Sequence, residues 1–521
     1  MQQFGPSKES FSKALLVAGL DIGTTTSGWS YLFICDFAVN PTGVETKIWR
    51  SNHKISSKAP TCVLIEPDGK TFSAFGYDAE NRYSILVEEG EHIKWYFFRR
   101  FKMKLYNEDI TRDMDIEDET GKKLNAKLVF MATIRFLKDD LLKCIEDRIK
   151  ECVKPEDIRW VLTVPAIWDD GAKQFMREAA ESAGISSDQL IIALEPEAAA
   201  ICCRFEPVKQ KGNYDSLSKF KTGCKVMVVD AGGNEVVEEF KRNNTEDYKY
   251  MMHEFELKRR AVDLSISDQQ IIFRIPSALL VKCIRGKNIQ EASIQRNTIK
   301  VNVSEVAILL KTQVDGIVDH VSNLIDQSTI DGIAAICLVG GFSNCSFFQQ
   351  AMKTKFHNHT IIVPDDPDLA VLIGAVIFGH TADQISKRGS NYTYGVEIRV
   401  PFIEHVHRES YKVRNDHGDF HCQHVFGKHI TAGQSPFDEV TTGLFPATSS
   451  QNTVCLSVYC TLDPDPMYVT DEGCHMAGRL EVPLEGTGTD RCVMVRMIHL
   501  WNEIEVEATE VATGTVHRLS I

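Results

Sequence analysis

The run Ala14–Asp21, ALLVAGLD, is apolar almost throughout and stops at Ile22-Gly23-Thr24-Thr25-Thr26. A strand without polar alternation cannot face water on either side, so it belongs in the middle of a sheet with a layer packed on each face. Ile158–Val164, Ile191–Leu194 and Ile333–Val339 repeat the texture, each running into a turn and then a helix-like segment, and Lys225–Asp230 is expected to be another buried strand. Recurrent strand, turn and helix imply an α/β fold whose sheets are covered by helices.

The covering helices are readable from their period. Leu128, Met131, Ile134, Leu137, Leu141, Ile145 and Ile149 recur at helical spacing from Ala126 onward. Asp169 and Asp170 can cap a helix through Lys173–Ala183 that ends at Gly184. Ser304 opens an amphipathic helix through Ile325, with Glu305 in the first turn where it suits the helix dipole, and Asp366–Gly379 supplies one more. Beyond Ser386 the texture becomes short strands separated by turns such as Asp463-Pro464-Asp465, which reads as a β-sandwich joined through Lys387–Ser390.

At 521 residues the chain can bury more than one core. Its formal charge of -14 repels phosphate backbones and anionic bilayers, so neither nucleic acid nor membrane is expected as a partner. The start, MQQFGPSKESFSK, lacks the layout of a signal peptide, and a cytoplasmic location is expected. The fifteen cysteines are scattered, with Cys35, Cys224 and Cys337 in apolar surroundings, as expected of reduced, buried thiols. His417, His421, Cys422, His424 and His429 match no standard zinc spacing and read better as strand and surface residues.

Three constellations could carry chemistry. Asp21 stands at a strand's carboxyl end, where it can hold a hydrated Mg²⁺, while Gly23 lets backbone N–H groups approach an anion and Thr24, Thr25 and Thr26 offer hydroxyls. A hairpin turn with strand-favouring threonines explains the same residues equally well. Gly340 and Gly341, ahead of Phe342, could cradle a ribose or phosphate, or serve only tight strand–helix packing. Glu256, Arg259 and Arg260 could grip a nucleoside through guanidinium stacking and a ribose hydroxyl, or form a solvated charged face.

In chain order, DIGTTT from Asp21, TVPAIW from Thr163, EPEAAA from Glu195, VDAGG from Val229 and LVGGFS from Leu338 resemble the signature set of the 70-kDa heat-shock chaperones. FKMKL from Phe101, AKQFMR from Ala172 and LIIALEPEAA from Leu190 are similar to that family's divergent twelfth class. The resemblance implies an actin-like ATPase fold: two lobes of duplicated ribonuclease-H-like topology around a cleft for ATP or ADP with Mg²⁺, then a small β-sandwich. It places a flexible N-terminus at residues 1–12, lobe I at 13–203, lobe II at 204–385 and the sandwich at 386–521. By position, Asp21, Gly23, Thr24, Thr25 and Thr26 match the first phosphate motif, and Lys104, or its neighbour Lys102, the catalytic lysine. Pro165 and Glu195 match the connecting motifs. Asp230 and Gly232 match the start of the second phosphate loop, with Asp21 and Asp230 holding Mg²⁺ through water. Glu256, Arg259 and Arg260 match the adenine helix, and Gly340, Gly341, Phe342 and Asp368 the adenosine loop. Lys104, Glu195 and Asp230 are the expected catalytic groups, unfolded or peptide clients and co-chaperones the expected partners, and attack of water on the γ-phosphate the expected reaction.

The pattern breaks at Gly233. A full second loop continues with a third glycine, a threonine and an aspartate, whereas this chain continues NEVVEEF, and only 26 positions separate Asp230 from Glu256. The economical explanation is an internal deletion that removes a strand pair and the phosphate donors it carries. Hydrolysis is then expected to be impaired, because one lost donor can cost roughly two to three orders of magnitude in rate. The last hairpin, from Glu503 to Ile521, resembles the end of the family's substrate sandwich, without the helical lid and acidic tail that follow it in ordinary members. Three functions compete: an ATP-binding chaperone-like protein, a pseudo-ATPase scaffold, and a small-molecule kinase of the same superfamily. EPEAAA and the terminal sandwich speak against the kinase.

Overall fold

The structure, a computed structural model, describes residues 14–51, 54–105, 110, 114–150, 153–205, 208–210, 213–215, 225–231, 258, 270–274, 293–295, 298–326, 332–382, 390, 392–414, 418–432, 440–446, 448–500 and 503–521. Its first sheet is ordered around β1 (Leu16–Ile22), which pairs antiparallel with β2 (Thr26–Phe33) and parallel with β3 (Ile158–Val164). Beyond β3 lies β4 (Leu190–Leu194), also parallel. Every residue of β1 and β3 is buried, as their unbroken apolar sequences require.

Strand alternation divides β1 between two cores. Leu16, Ala18, Leu20 and Ile22 face helix α1 (Ala126–Ile149), packing with Phe130, Leu137, Leu141 and Ile145. Val17 faces the opposite layer, made by α3 (Glu195–Phe205) and α6 (Ala370–Thr381). Between β3 and β4 lies α2 (Asp170–Ser182), whose N-cap Asp169 accepts a 2.8 Å hydrogen bond from Ala172 N–H; Gly184 beyond its end has φ +88°, where a side chain would be strained.

The second sheet is all parallel among the described residues: β5 (Lys225–Asp230), β6 (Ile333–Val339) and β7 (Thr360–Ile362). Ile336 and Leu338 of β6 point to α4 (Val303–Asp326) and α5 (Ser346–Lys355), while Ala335, Cys337 and Val339 point to the layer of α3 and α6. The two sheets therefore share that middle layer. Helix α6 is buried from Ala370 to Gly379, which is why its sequence has no polar face. Glycine makes the contact possible: a Cβ on Gly374 would lie 1.7 Å from the Ala198 carbonyl oxygen.

Two expectations change here. Strand β5 looks as apolar as β1, yet its interior positions are only half-buried and both its ends are exposed. Among the described residues it pairs with β6 alone, whereas β1 has a neighbour on each side. Cys35 is exposed in a short helix, Ile34–Phe37, rather than buried; Cys337 is buried, and Cys224 lies outside the described residues.

After Ser390 two antiparallel sheets follow. One orders Lys412–Arg414, Phe420–Ile430, Thr393–Pro401, Thr453–Thr461 and His475–Pro483; the other orders Thr441–Leu444, Val493–Leu500, Glu503–Glu510 and Val516–Ser520. Tyr394, Val396, Leu456 and Val482 of the first share one core with Val493, Val495, Val506 and Ala508 of the second. This region touches the first sheet's helices where the buried Tyr394 hydroxyl donates to Asp170 of α2. His424 pairs with Glu397 at 2.7 Å, and His429 Nδ1 lies 2.9 Å from the Val440 carbonyl, so both rings have ordinary partners.

Candidate functional site

The carboxyl ends of β1 and β5 deliver Asp21 and Asp230 to the two sides of the middle layer. Asp21 is buried, and its registry opposite Thr163 of β3 sets its first partner: Thr163 Oγ1 donates to Asp21 Oδ1 at 2.8 Å. Its other oxygen, Oδ2, accepts from Lys58 Nζ at 2.8 Å, and both side chains are about 95% enclosed. Burial alone would raise the Asp21 pKa, but the charges of Lys58 and Lys102 and the two hydrogen bonds outweigh it and hold the carboxyl below its ordinary value. Lys58 is driven the other way, well above the ordinary lysine value: burial opposes the shift, and Asp21, Asp368 and Asp230 overcome it.

Sequence reasoning missed Lys58. It sits in a polar stretch, SSKAP, that looks like surface loop. The signal was the topology: Ala59 pairs with Ser27, bringing the lysine alongside β2, and Gly28 lies directly opposite Asp21 in the hairpin. With no side chain at Gly28, the Lys58 stem crosses there; an added Cβ would meet Lys58 Cγ at 3.2 Å.

The hairpin turn carries Gly23, Thr24, Thr25 and Thr26, all half-buried. Gly23 is required by crowding, since a Cβ would sit 2.3 Å from the Thr26 carbonyl oxygen. Thr61 ties the turn down, its hydroxyl donating to Gly23 O at 2.8 Å and its N–H to Thr25 O at 2.9 Å. The turn is thus both a hairpin and a ring of polar groups beside Asp21.

Of the two candidate lysines, Lys102 lies inside and Lys104 outside. Both belong to the 3-10 turn Phe101–Leu105, in which Lys102 is buried and Lys104 exposed. Lys102 Nζ forms a short ion pair with Glu195 at the start of α3 and stands 5.6 Å from the centre of the Trp168 ring. TVPAIW therefore contributes Thr163 to Asp21 and Trp168 to Lys102.

On the opposite side, Gly340 has φ +83° and closes directly on Asp230: a Cβ there would lie 2.1 Å from Asp230 Oδ1. Gly340 N–H donates to Pro367 O at 2.7 Å, and a Cβ on Gly341 would meet Asp368 Oδ1 at 3.3 Å. The glycine pair therefore holds Asp230 and Asp368 on one rim. The Phe342 ring is buried against Phe348, so its side chain serves the core, leaving the backbone to face the rim. Gly232, Glu256, Arg259 and Arg260 lie outside the described residues.

Asp230 keeps one side open to solvent, yet crowding by the protein and then the charge of Glu195 push its carboxyl up to about 6. The folded form therefore holds its proton more tightly than the unfolded chain, whose value is 3.8. Stability from this group is fully present below the unfolded value and is lost as pH rises towards 6. The full displacement corresponds to roughly 3 kcal/mol, which screening on the open side reduces to about 1 kcal/mol. Asp230→Asn is expected to raise the midpoint of thermal melting at pH 7, by about 2 °C, and to leave it unchanged at pH 4. An equal gain at both pH values would show that the carboxylate charge is not the cause.

No group of three or more His, Cys, Asp or Glu side chains suited to a metal occurs among the described residues, and none of the described helices is long and apolar enough to cross a membrane. No family model matches the chain. It is 29% identical to Heat shock 70 kDa protein 12A of Mus musculus, over 96% of this chain and 90% of that protein. To Heat shock 70 kDa protein 12B of Homo sapiens it is 27% identical, over 99% of this chain and 92% of that protein. A chaperone protein HscA homolog of Shewanella denitrificans is 22% identical over 46% of this chain and 39% of its own length. Two helix-covered sheets around one middle layer, in a chain with these relatives, define a two-lobed fold of the actin-like ATPase type. Within that class, the similarity over nearly the whole chain, at 27–29% identity, is to Heat shock 70 kDa proteins 12A and 12B, which supports the divergent twelfth branch of that family.

Proposed function

We propose that this protein is a chaperone-related, cytoplasmic ATP- or ADP-binding protein with impaired hydrolysis. The observation that carries the reading is the convergence of separate motifs on one cleft. Asp21 and its threonine turn, the Lys102–Glu195 pair, Asp230, the Gly340–Gly341 turn and Asp368 come from distant parts of the chain and meet around the middle layer. The threonine turn receives the phosphates, Lys102 and Glu195 stand at the reacting end, and the glycine rim receives the nucleoside. Lys102, enclosed and oriented by Glu195, takes the catalytic lysine's position rather than the exposed Lys104.

Impairment is supported on the second-sheet side. The motif stops after Gly233, and β5 stands half-buried with β6 as its one partner among the described residues. The match to mouse protein 12A spans 614 aligned positions, against the roughly 500 residues that 96% of a 521-residue chain supplies. On the order of a hundred aligned positions therefore lack a residue here, which fits an internal deletion. If the donors to the β- and γ-phosphates from that side are lost, binding survives better than catalysis, because donors preorganised for the transition state act mainly on rate. The two C-terminal sheets stand where a substrate domain would, with unfolded or peptide clients and co-chaperones as the expected partner classes.

Millimolar ATP is expected to raise the melting temperature, since a ligand held by the folded state at 100 times its Kd adds about 2.7 kcal/mol. Phosphate release should stay at the buffer rate in the same samples. A melting curve unmoved by ATP and ADP favours the scaffold reading.

A further inference from the structure

The Asp21 pocket already holds a cation of its own. Lys58 reaches Asp21 Oδ2 at 2.8 Å with both side chains enclosed, and Thr163 engages Oδ1 at 2.8 Å. Each oxygen keeps a further lone pair, but the place beside Asp21 is filled by the protein's own ammonium, so Asp21 does not fit the role of a metal's anchor, directly or through a metal-bound water. A divalent ion at that spot would also meet the ammonium at close range in a poorly screened pocket. The lysine is held there by more than one contact. Its stem passes over Gly28, the residue opposite Asp21, and the pairing of Ala59 with Ser27 fixes the backbone just beyond it. Asp368 and Asp230, from the far rim, also act on its charge, so the ammonium lies within the field of both rims.

We propose that the Lys58 ammonium is the resident cation of this cleft, taking the place beside Asp21 that a hydrated Mg²⁺ would otherwise take and meeting the nucleotide phosphates in its stead. The proposal rests on the nucleotide reading for its ligand, but not for the occupancy of the Asp21 pocket. Lysine supplies one positive charge and three N–H donors, one of them given to Asp21, where a metal ion supplies two charges and arrives with its ligand. Nucleotide binding then loses its dependence on divalent ions. Lys102 does not take the place of Lys58, because its ammonium is in contact with Glu195 and acts on Asp21 only from a distance.

The test uses the full chain and two probes. Mn²⁺ alone, followed by the paramagnetic signal of the free ion, should find no site on the wild-type protein at this position tighter than about 1 mM. Lys58→Gln should gain one Mn²⁺ equivalent bound at least about tenfold more tightly, and the double variant D21N/K58Q, which removes both charges together, should lose it again. Circular dichroism checks that each variant is folded. A tight Mn²⁺ site on the wild type that D21N/K58Q abolishes overturns the proposal, as does a folded K58Q that gains no site. ATP binding, measured by equilibrium dialysis in Mg²⁺ and in EDTA, should differ by less than about threefold in the wild type, and a tenfold or greater loss in EDTA also overturns the proposal. Absence of ATP binding in both buffers refutes the nucleotide reading and the phosphate-contacting half of the proposal, while the Mn²⁺ titration still decides the occupancy of the pocket.

Discussion

Asp21→Asn is expected to cost about 3–5 kcal/mol of folding stability, because it leaves an enclosed ammonium without its counter-charge. The magnitude follows from geometry: Lys58 and Asp21 are both buried and in direct contact, whereas Asp368 and Asp230 act on the lysine from the far rim. In the wild type, the lowered Asp21 carboxyl contributes stability above the ordinary aspartate value, lost as pH falls below it; the raised Lys58 contributes below the ordinary lysine value, lost as pH rises through its folded value. The pair therefore stabilises the protein between about pH 4 and pH 10. In the Asn variant Lys58 is buried without a partner and its pKa falls, so the deficit should narrow as pH rises from 7 to 9.5. Urea midpoints at the two pH values measure this. Replacing both residues by apolar ones of similar size, Asp21→Leu with Lys58→Met, should recover most of the loss, since a matched apolar pair has no charge to strand. An Asn variant as stable as wild type would mean that the pair is open to water.

Gly374→Ala is expected to be as damaging for a steric reason. The new methyl would lie 1.7 Å from the Ala198 carbonyl oxygen and 2.4 Å from its carbon, both backbone atoms of α3 that no rotamer change can move. Helix α6 would have to retreat from α3, opening the layer on which both sheets rest. Overpacking usually costs 1–3 kcal/mol, and a backbone clash this deep should exceed that, at about 4 kcal/mol. The same substitution at Gly316, exposed on α4 with nothing within 4 Å of the new atom, should instead stabilise by about 0.5–1 kcal/mol. Opposite signs for one chemical change separate contact from propensity. Equal effects at the two positions would refute the close α3–α6 packing.

Much of the frame was legible because it is written in local pattern. Ile158–Val164 and Ile333–Val339 form strands over the very bounds their apolar runs suggested, and Ala126–Ile149 is the helix its period required. The Asp169 cap was readable because capping needs one side chain and a backbone N–H three residues on. The choice between Lys102 and Lys104 was not legible: two lysines two residues apart look alike until a 3-10 turn directs one to Glu195 and the other to solvent. Nor was the half-burial of β5, since KVMVVD has the composition of an enclosed strand and its burial depends on what packs beside it.

By itself the sequence determined which segments are strands and helices, which strand faces want apolar cover, and which motifs stand at strand ends. Those properties depend on residues within a few positions of one another. Only the tertiary structure decided that Lys58 meets Asp21 across the void left by Gly28, that Lys102 rather than Lys104 turns inward, and that Gly374 lets α6 touch α3. Each of these depends on strand register or helix approach, which bring together atoms far apart in the chain. Whether a charge or a glycine is structural or functional is settled at that distance.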